Sequence, residues 1–181
     1  MHLHYIRIMK TLSELKDELE LSPVQTMLLA NTGSMTVLLE ALFGPVSVQT
    51  ESQKILDADS ETARVLEISE GETVNRRIVR LVAGERVLVH ATSVAPLSRL
   101  NPEFKEDIMK RDIPIGRIME AHRIESRREI LGYDWQTAKA RFAEIFSKPA
   151  GSIVLKRNYN IIHNKQPLIN ILEVFPYEMA K

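Results

Sequence analysis

The chain has 181 residues and no cysteine, and its 24 basic side chains are balanced by 24 acidic ones. This length suits one domain with one core, and the balanced charge excludes a global field that would attract nucleic acid or an anionic membrane. The absence of cysteine excludes disulfides, a thiolate nucleophile and Cys-ligated zinc, and no apolar run approaches the ~20 residues that span a bilayer, so we expect a soluble, cytoplasmic protein.

The first part of the chain is predicted to be helical. We interpret residues 1–8 as a tail, and helical spacing of Leu12, Leu15 and Leu19 predicts a helix that ends before a break at Pro23. A second helix is predicted with Ser34 as its N-cap and Gly44-Pro45 as its stop, so helices should occupy about 11–43. Its residues are largely apolar, which indicates a buried helix.

The rest of the chain is predicted to contain two similar units separated by an insertion at about 97–120. Each unit consists of a strand, a helix and a hairpin. The first has strands at about 46–56, 73–82 and 86–95 with a helix at 60–67, and the second has strands at about 121–131, 152–162 and 167–175 with a helix at 135–147.

An internal repeat supports this division. The segment "RRIVRLVAGERVLVHATSVAP" (76–96) aligns without a gap on "KRNYNIIHNKQPLINILEVFP" (156–176), which pairs Arg77 with Arg157. Upstream, "TESQKIL" (50–56) resembles "IESRREIL" (124–131) once one residue is skipped. Unrelated hairpins also share turns and apolar positions, so a chance likeness is the alternative. A real duplication predicts one antiparallel sheet with a pseudo-twofold axis and helices packed on one face, an α+β fold.

Glu173 is the clearest candidate site residue. It lies in the apolar segment "PLINILEVFP", where strand alternation places it on one face with Ile169 and Ile171. A carboxylate in a buried strand is costly unless it is paired or hydrogen-bonded. It is therefore either a site carboxylate or a residue of a structural ion pair or an exposed sheet edge.

Arginines form the second group of candidates. Alternation turns Arg76 and Arg77 to opposite faces of their strand, where each is either a solvated residue or a guanidinium that holds a substrate carboxylate. In "HRIESRREI", Arg123, Arg127 and Arg128 alternate with acidic residues, which favours a solvated, ion-paired strand. The histidines lack metal-ligand spacing, so no metal site is predicted.

Three segments, in this order, resemble the chorismate lyase family, which includes bacterial chorismate pyruvate-lyases and an archaeal and mycobacterial branch. They are "LLANTGSMTVLLE" (28–40), the hairpin 76–96 followed by "IPIGRIM" (113–119), and "NKQPLINILEVFP" (164–176). The likeness covers nearly the whole chain and implies one chorismate lyase-like domain over 1–181. Two departures are Arg86, where the family has a turn proline, and an additional residue before Glu173.

The resemblance implies a cofactor-free elimination that converts chorismate to 4-hydroxybenzoate and pyruvate. Counted back from the turn at Gly84, the family's substrate-binding arginine falls on Arg76. The implied catalytic residues are Glu173 and Arg76, and the implied substrate-binding residues are Met35, Ile115 and Gly116, with no metal. The implied partner is a small-molecule carboxylate, with no nucleic acid and no membrane, and the chain is expected to be a monomer or a homodimer.

Two alternatives to catalysis remain open. The same fold resembles the ligand-binding domain of many bacterial transcription regulators, which sense small molecules without converting them. A DNA-binding winged helix precedes that domain, and the roughly 45 residues before the first predicted strand are too few for one, so an enzyme is favoured. The other alternative is a lyase-like scaffold without activity.

Overall fold

Six antiparallel strands form one sheet in the computed structural model, which describes residues 9–110 and 112–180; the predicted tail, 1–8, lies outside the described residues. The sheet has the strand order β1-β2-β3-β6-β5-β4. The strands are β1 Ser47–Asp57, β2 Thr73–Ala83, β3 Arg86–Pro96, β4 Arg127–Thr137, β5 Ile153–His163 and β6 Gln166–Pro176. The predicted α+β class with an antiparallel sheet is confirmed.

Seven α-helices accompany the strands in the described part of the chain. They are α1 Leu12–Glu18, α2 Pro23–Ala30, α3 Met35–Phe43, α4 Ser60–Leu66, α5 Pro102–Met109, α6 Ile115–Ala121 and α7 Ala140–Ile145. The predicted start of α3 is confirmed, because the Ser34 hydroxyl accepts a hydrogen bond from the Val37 amide. Gly44, with φ of 80°, ends the helix as predicted. None of these helices is both long and apolar enough to cross a membrane.

The two halves of the sheet have the same element order. β1 begins at Ser47 and β4 at Arg127, 80 residues later, and the same displacement separates α4 from α7, β2 from β5 and β3 from β6. The halves meet in the centre of the sheet, where β3 pairs with β6. Descent of the halves from one duplicated unit stays a prediction.

One strand differs from the prediction. β4 was expected at about 121–131 but begins at Arg127, because 115–121 form α6 and a turn follows it. The skipped residue in the upstream alignment caused this error, since the ungapped displacement of the hairpins continues through β4. The four hairpin strands lie within one residue of their predicted bounds.

Helices cover both faces of the sheet, so the expectation of helices on one face is wrong. On the face that carries Arg77 and Glu173, here called the cavity face, residues of α1, α2 and α3 pack against Leu81 and Leu155, and residues of α5 and α6 pack against Ile161. On the opposite face, Phe146 after α7 packs against Val174. The helices inside the two units, α4 and α7, cover the opposite face. The helices outside the units, α1–α3, α5 and α6, cover the cavity face.

Candidate functional site

A cavity of about 580 Å³ lies between the cavity face of the sheet and the first turns of α3 and α6. This volume includes space that is open to solvent. Its lining brings together four of the predicted site residues, Met35, Ile115, Gly116 and Glu173. The other lining residues are Ser34, Thr36, Val48, Arg77, Val79, Leu81, Ala91, Ser93, Pro114, Arg128, Tyr159, Ile161 and Ile171.

Glu173 is buried in β6 at 4% exposure and is held at both carboxylate oxygens. Oε2 accepts hydrogen bonds from Arg157 Nε at 3.1 Å and Nη2 at 2.5 Å. Oε1 accepts one from the Tyr159 hydroxyl at 3.0 Å, and burial raises the pKa of that phenol. Glu173 therefore belongs to an internal ion pair and also lines the cavity, and its role as a site carboxylate stays a prediction.

Arg157 is fully buried and its donors are taken up by the protein itself. Besides Glu173, it donates through Nη1 to the carbonyl oxygens of Leu28, Leu29 and Asn31, at 3.0, 3.2 and 2.6 Å. These carbonyls lie at the end of α2, where a cation satisfies oxygens left without helical partners. Burial lowers the pKa of Arg157, but Glu173, Tyr159 and Tyr133 together outweigh burial, so the pKa is raised. Arg157 thus fixes Glu173 in position.

Arg77 is the arginine of β2 that lines this cavity, whereas Arg76, the arginine implied by the resemblance, does not line it. Arg77 is 1% exposed, and its Nη1 donates to the Ile113 carbonyl at 2.8 Å while Nη2 donates to Thr50 Oγ1 at 3.3 Å. Its Nε has no hydrogen-bond partner, and no carboxylate of the described residues lies at salt-bridge distance. Burial lowers the pKa of this guanidinium, and the nearby charge of Asp112 partly offsets that effect.

Arg76 lies on the opposite face, in a separate cavity beside α4 that Val65 and Asn158 also line. The alternation of strand side chains correctly places Arg76 and Arg77 on opposite faces. It does not predict which face the helices outside the two units cover. The register across the sheet decides this, because Arg77 pairs with Ser93 and Ser93 pairs with Ile171, two residues from Glu173. Arg77 and Glu173 therefore share one face.

Equivalent positions of the two hairpins differ in charge. In the second hairpin Arg157 pairs across the strands with Glu173, whereas in the first hairpin Arg77 pairs with Ser93. Both arginines lie on the cavity face of the sheet. One buried guanidinium thus has a carboxylate from the chain, and the other has a small hydroxyl residue and an open cavity. An anion in the cavity would give Arg77 the partner that Arg157 already has.

The first turn of α6 closes the cavity near Arg77. The first amides that bond back within this helix are those of Arg117 and Ile118, both to the Pro114 carbonyl. The amides of Ile115 and Gly116 precede them and are unused by the helix ladder. A Cβ added at Gly116 would lie 3.4 Å from Ser34 Oγ, so the starts of α6 and α3 are in close approach.

Sequence reasoning missed two further polar residues of the cavity. Tyr159 was not singled out, although its place two residues after Arg157, on the same face of the strand, was a usable signal. Arg128 was expected to be solvated, yet it lines the cavity, and its guanidinium lies over the Tyr159 ring at 5.8 Å. Its neighbour Arg127 is exposed and forms an ion pair with Glu129, as expected. No three histidine, aspartate or glutamate side chains of residues 9–110 and 112–180 come together as a metal site.

Comparisons with known proteins connect this chain to a family. The model of the family described as chorismate pyruvate-lyase Rv2949c-like matches residues 29–181. The "Putative lyase MJ0807" of Methanocaldococcus jannaschii is 32% identical over 181 residues, which cover 97% of this chain and 90% of that protein.

Two solved structures show the same fold. PhnF from Mycobacterium smegmatis matches with a TM-score of 0.72 at 15% identity, over 98% of this chain and 92% of that chain. The ligand-binding domain of a GntR-family transcriptional regulator from Bordetella bronchiseptica matches with a TM-score of 0.61 at 17% identity, over 74% of this chain and 86% of that one. At these identities the likeness establishes the fold alone.

Proposed function

Because the chain belongs to the chorismate pyruvate-lyase Rv2949c-like family, we propose that its cavity eliminates pyruvate from chorismate and releases 4-hydroxybenzoate. One observation carries this proposal. A buried guanidinium without a carboxylate partner, Arg77, shares a small cavity with an oriented carboxylate, Glu173. A cyclic carboxylate with a hydroxyl on the far side of its ring matches that pair of groups.

The reaction needs orientation more than reactive groups. The ether bond between the ring and the enolpyruvyl group breaks, the hydrogen on the hydroxyl-bearing carbon leaves as a proton, and the ring becomes aromatic. The released enolpyruvate takes up a proton at its methylene carbon to become pyruvate. Aromatisation supplies driving force, so the protein contributes by holding one conformation and by placing charge near the atoms that change.

Each polar residue of the cavity has a distinct role in this proposal. Arg77 binds the ring carboxylate, with the Ile115 and Gly116 amides as further donors at that end. Glu173 accepts a hydrogen bond from the ring hydroxyl through Oε1 and assists movement of the proton from the adjacent carbon. Arg157 and Tyr159 fix the Glu173 carboxylate, so it needs no rearrangement when the substrate binds.

A sensor without catalytic activity is the competing function, supported by the fold shared with regulator ligand-binding domains. Both functions require a carboxylate to bind at Arg77, so binding alone does not separate them. Turnover separates them, because a sensor releases chorismate unchanged.

Incubation of the purified protein with chorismate is therefore the decisive test. We expect equal amounts of pyruvate, followed with lactate dehydrogenase, and 4-hydroxybenzoate, followed by chromatography. Glu173→Gln keeps the volume of the side chain but removes the base, so kcat should fall by roughly 10² or more while 4-hydroxybenzoate still binds. Chorismate that binds but is recovered intact would establish the sensor instead.

A pair of neighbouring variants tests the position of the carboxylate. Arg77→Met should weaken binding of 4-hydroxybenzoate by about 30-fold or more, because it removes a buried charge partner. Arg76→Met is the matched control, since it makes the same change one residue away on the opposite face, and it should leave affinity within about threefold. The reverse order of effects would move the binding site to the opposite face.

A further inference from the structure

Arg128 lies at the opposite end of the cavity from Arg77 and has N–H donors that are available to a ligand. It is half-buried on the edge strand β4, and its Nη1 donates to the Thr32 carbonyl at 2.9 Å. Its Nε is buried without a hydrogen-bond partner among the described residues. A guanidinium has five N–H donors in a planar fork, so the bond to Thr32 leaves most of them available to a ligand.

The charged and polar groups of the cavity follow the order of the strands. Arg77 is on β2, Glu173 on β6, Tyr159 on β5 and Arg128 on β4, which places the two cationic side chains at opposite ends. Four strand spacings separate β2 from β4, about 19 Å between backbones, and both arginine side chains line the intervening space. A ligand between them meets a guanidinium at each end and the Glu173 carboxylate in the middle.

The charges of the cavity do not cancel. The lining contains the guanidiniums of Arg77 and Arg128 and the carboxylate of Glu173, and Arg157 already neutralises that carboxylate. Asp112 lowers the net positive charge near Arg77 from outside the lining. No carboxylate of the described residues makes an ion pair with Arg128. A ligand with one carboxylate therefore leaves one end of the cavity without a counter-charge.

We propose that Arg128 forms a second carboxylate subsite, and that the cavity selects cyclic dicarboxylates over monocarboxylates of the same size. This inference rests on the proposed function only for the orientation of the ligand, with the ring carboxylate at Arg77. A second carboxylate on an ether arm of the ring then reaches Arg128, while the Tyr159 ring below supports the guanidinium that receives it.

The subsite has a consequence for turnover. Elimination divides a ligand with two carboxylates into two products with one carboxylate each. Neither product bridges both guanidiniums, so each binds more weakly than the substrate and leaves the cavity more easily. Differential binding of this kind limits inhibition by the aromatic product.

Two unreactive probes test the subsite without turnover. One is 4-hydroxy-3-methoxybenzoate, and the other is 3-(carboxymethoxy)-4-hydroxybenzoate, which adds only a carboxylate to the ether arm. Calorimetric titration of the wild-type protein should give a lower Kd for the dicarboxylate by about tenfold or more. Arg128→Met should raise the Kd of the dicarboxylate by about 10- to 100-fold and change that of the monocarboxylate by less than about threefold.

Arg127→Met is the matched control, because this neighbouring residue is exposed and paired with Glu129; it should leave both Kd values within about twofold. An equal loss of affinity for both probes in Arg128→Met would overturn the inference, since it would mean that Arg128 only holds the loop at Thr32. Equal affinity of the wild-type protein for both probes would overturn it as well. Neither result depends on conversion of chorismate, so a chain that binds as expected but lacks turnover would refute the proposed function and leave the subsite standing.

Discussion

Replacement of Ser93 by glutamate would place a carboxylate where a ligand is expected. Ser93 is 8% exposed, lines the cavity and pairs across the strands with Arg77. In the second hairpin the equivalent position is occupied by Glu173, which binds Arg157 through two donors. Ser93→Glu should therefore build a second internal ion pair and occupy Arg77 in the absence of ligand.

The expected loss of affinity follows from the ion pair with Arg77 that the ligand can no longer make. Pairing of a carboxylate with a buried guanidinium contributes about 2–5 kcal/mol, so its loss should weaken binding of 4-hydroxybenzoate by about 30-fold or more. The free energy of unfolding should change little, because desolvation of the new carboxylate offsets its attraction to Arg77. The first hairpin also has Val79 where the second has Tyr159, so the new carboxylate lacks a hydroxyl donor.

Calorimetric titration of three proteins checks this prediction. Ser93→Gln is the steric control, because glutamine has nearly the size of glutamate and no charge. We expect Ser93→Gln to lose much less affinity than Ser93→Glu, and both variants to unfold near the wild-type midpoint in urea. Equal losses in the two variants would refute the reasoning, since obstruction alone would then explain the effect and the ligand carboxylate would not lie at Arg77.

Two further predictions concern stability. Arg157→Met leaves the buried Glu173 carboxylate without its partner and should lower the free energy of unfolding by about 3–5 kcal/mol in urea titrations. Addition of Glu173→Leu should restore part of the loss; a double variant as unstable as the single one would assign the cost to the lost carbonyl contacts instead. At His90, burial lowers the pKa despite the neighbouring Glu51 carboxylate. The unfolded chain then binds the proton more readily, so stability should fall as the pH drops below about 7 towards the lowered pKa. Thermal melts of His90→Gln should show a smaller fall, and an unchanged fall would exclude His90 as its source.

The sheet could be predicted from sequence because its signals are local. Both hairpins carry a turn between apolar strands and a proline at the end of the second strand, so β2, β3, β5 and β6 were predicted within one residue. β4 lacks such markers, and its position came from an alignment that skipped a residue. The coverage of both faces depends on where the inserted helices pack, which no strand pattern contains.

Arg128 was missed for a related reason. In "IESRREI" basic and acidic residues are mixed, as they are on a solvated strand, and the alternation of strand side chains turns one of the two adjacent arginines inward. Arg127 is exposed, whereas Arg128 faces the cavity because the loop before α3 covers that end of β4. The tertiary contacts of Arg128 with Thr32 and Tyr159 distinguish the two residues, and both partners are distant in sequence.

The face on which Arg77 lies, in contrast, could have been predicted from the likeness of the two hairpins. Glu173 needed a buried partner, and the register of the second hairpin gives it Arg157 directly across the strands. The ungapped alignment pairs Arg157 with Arg77 and Glu173 with Ser93, so the same register turns Arg77 to the face of Glu173 and leaves it opposite a serine. Counting from the turn at Gly84 used one hairpin and selected Arg76, whereas comparison of the two hairpins selects Arg77. A buried arginine that has no carboxylate partner, while the equivalent arginine of the other hairpin has one, is the pattern expected of an anion site.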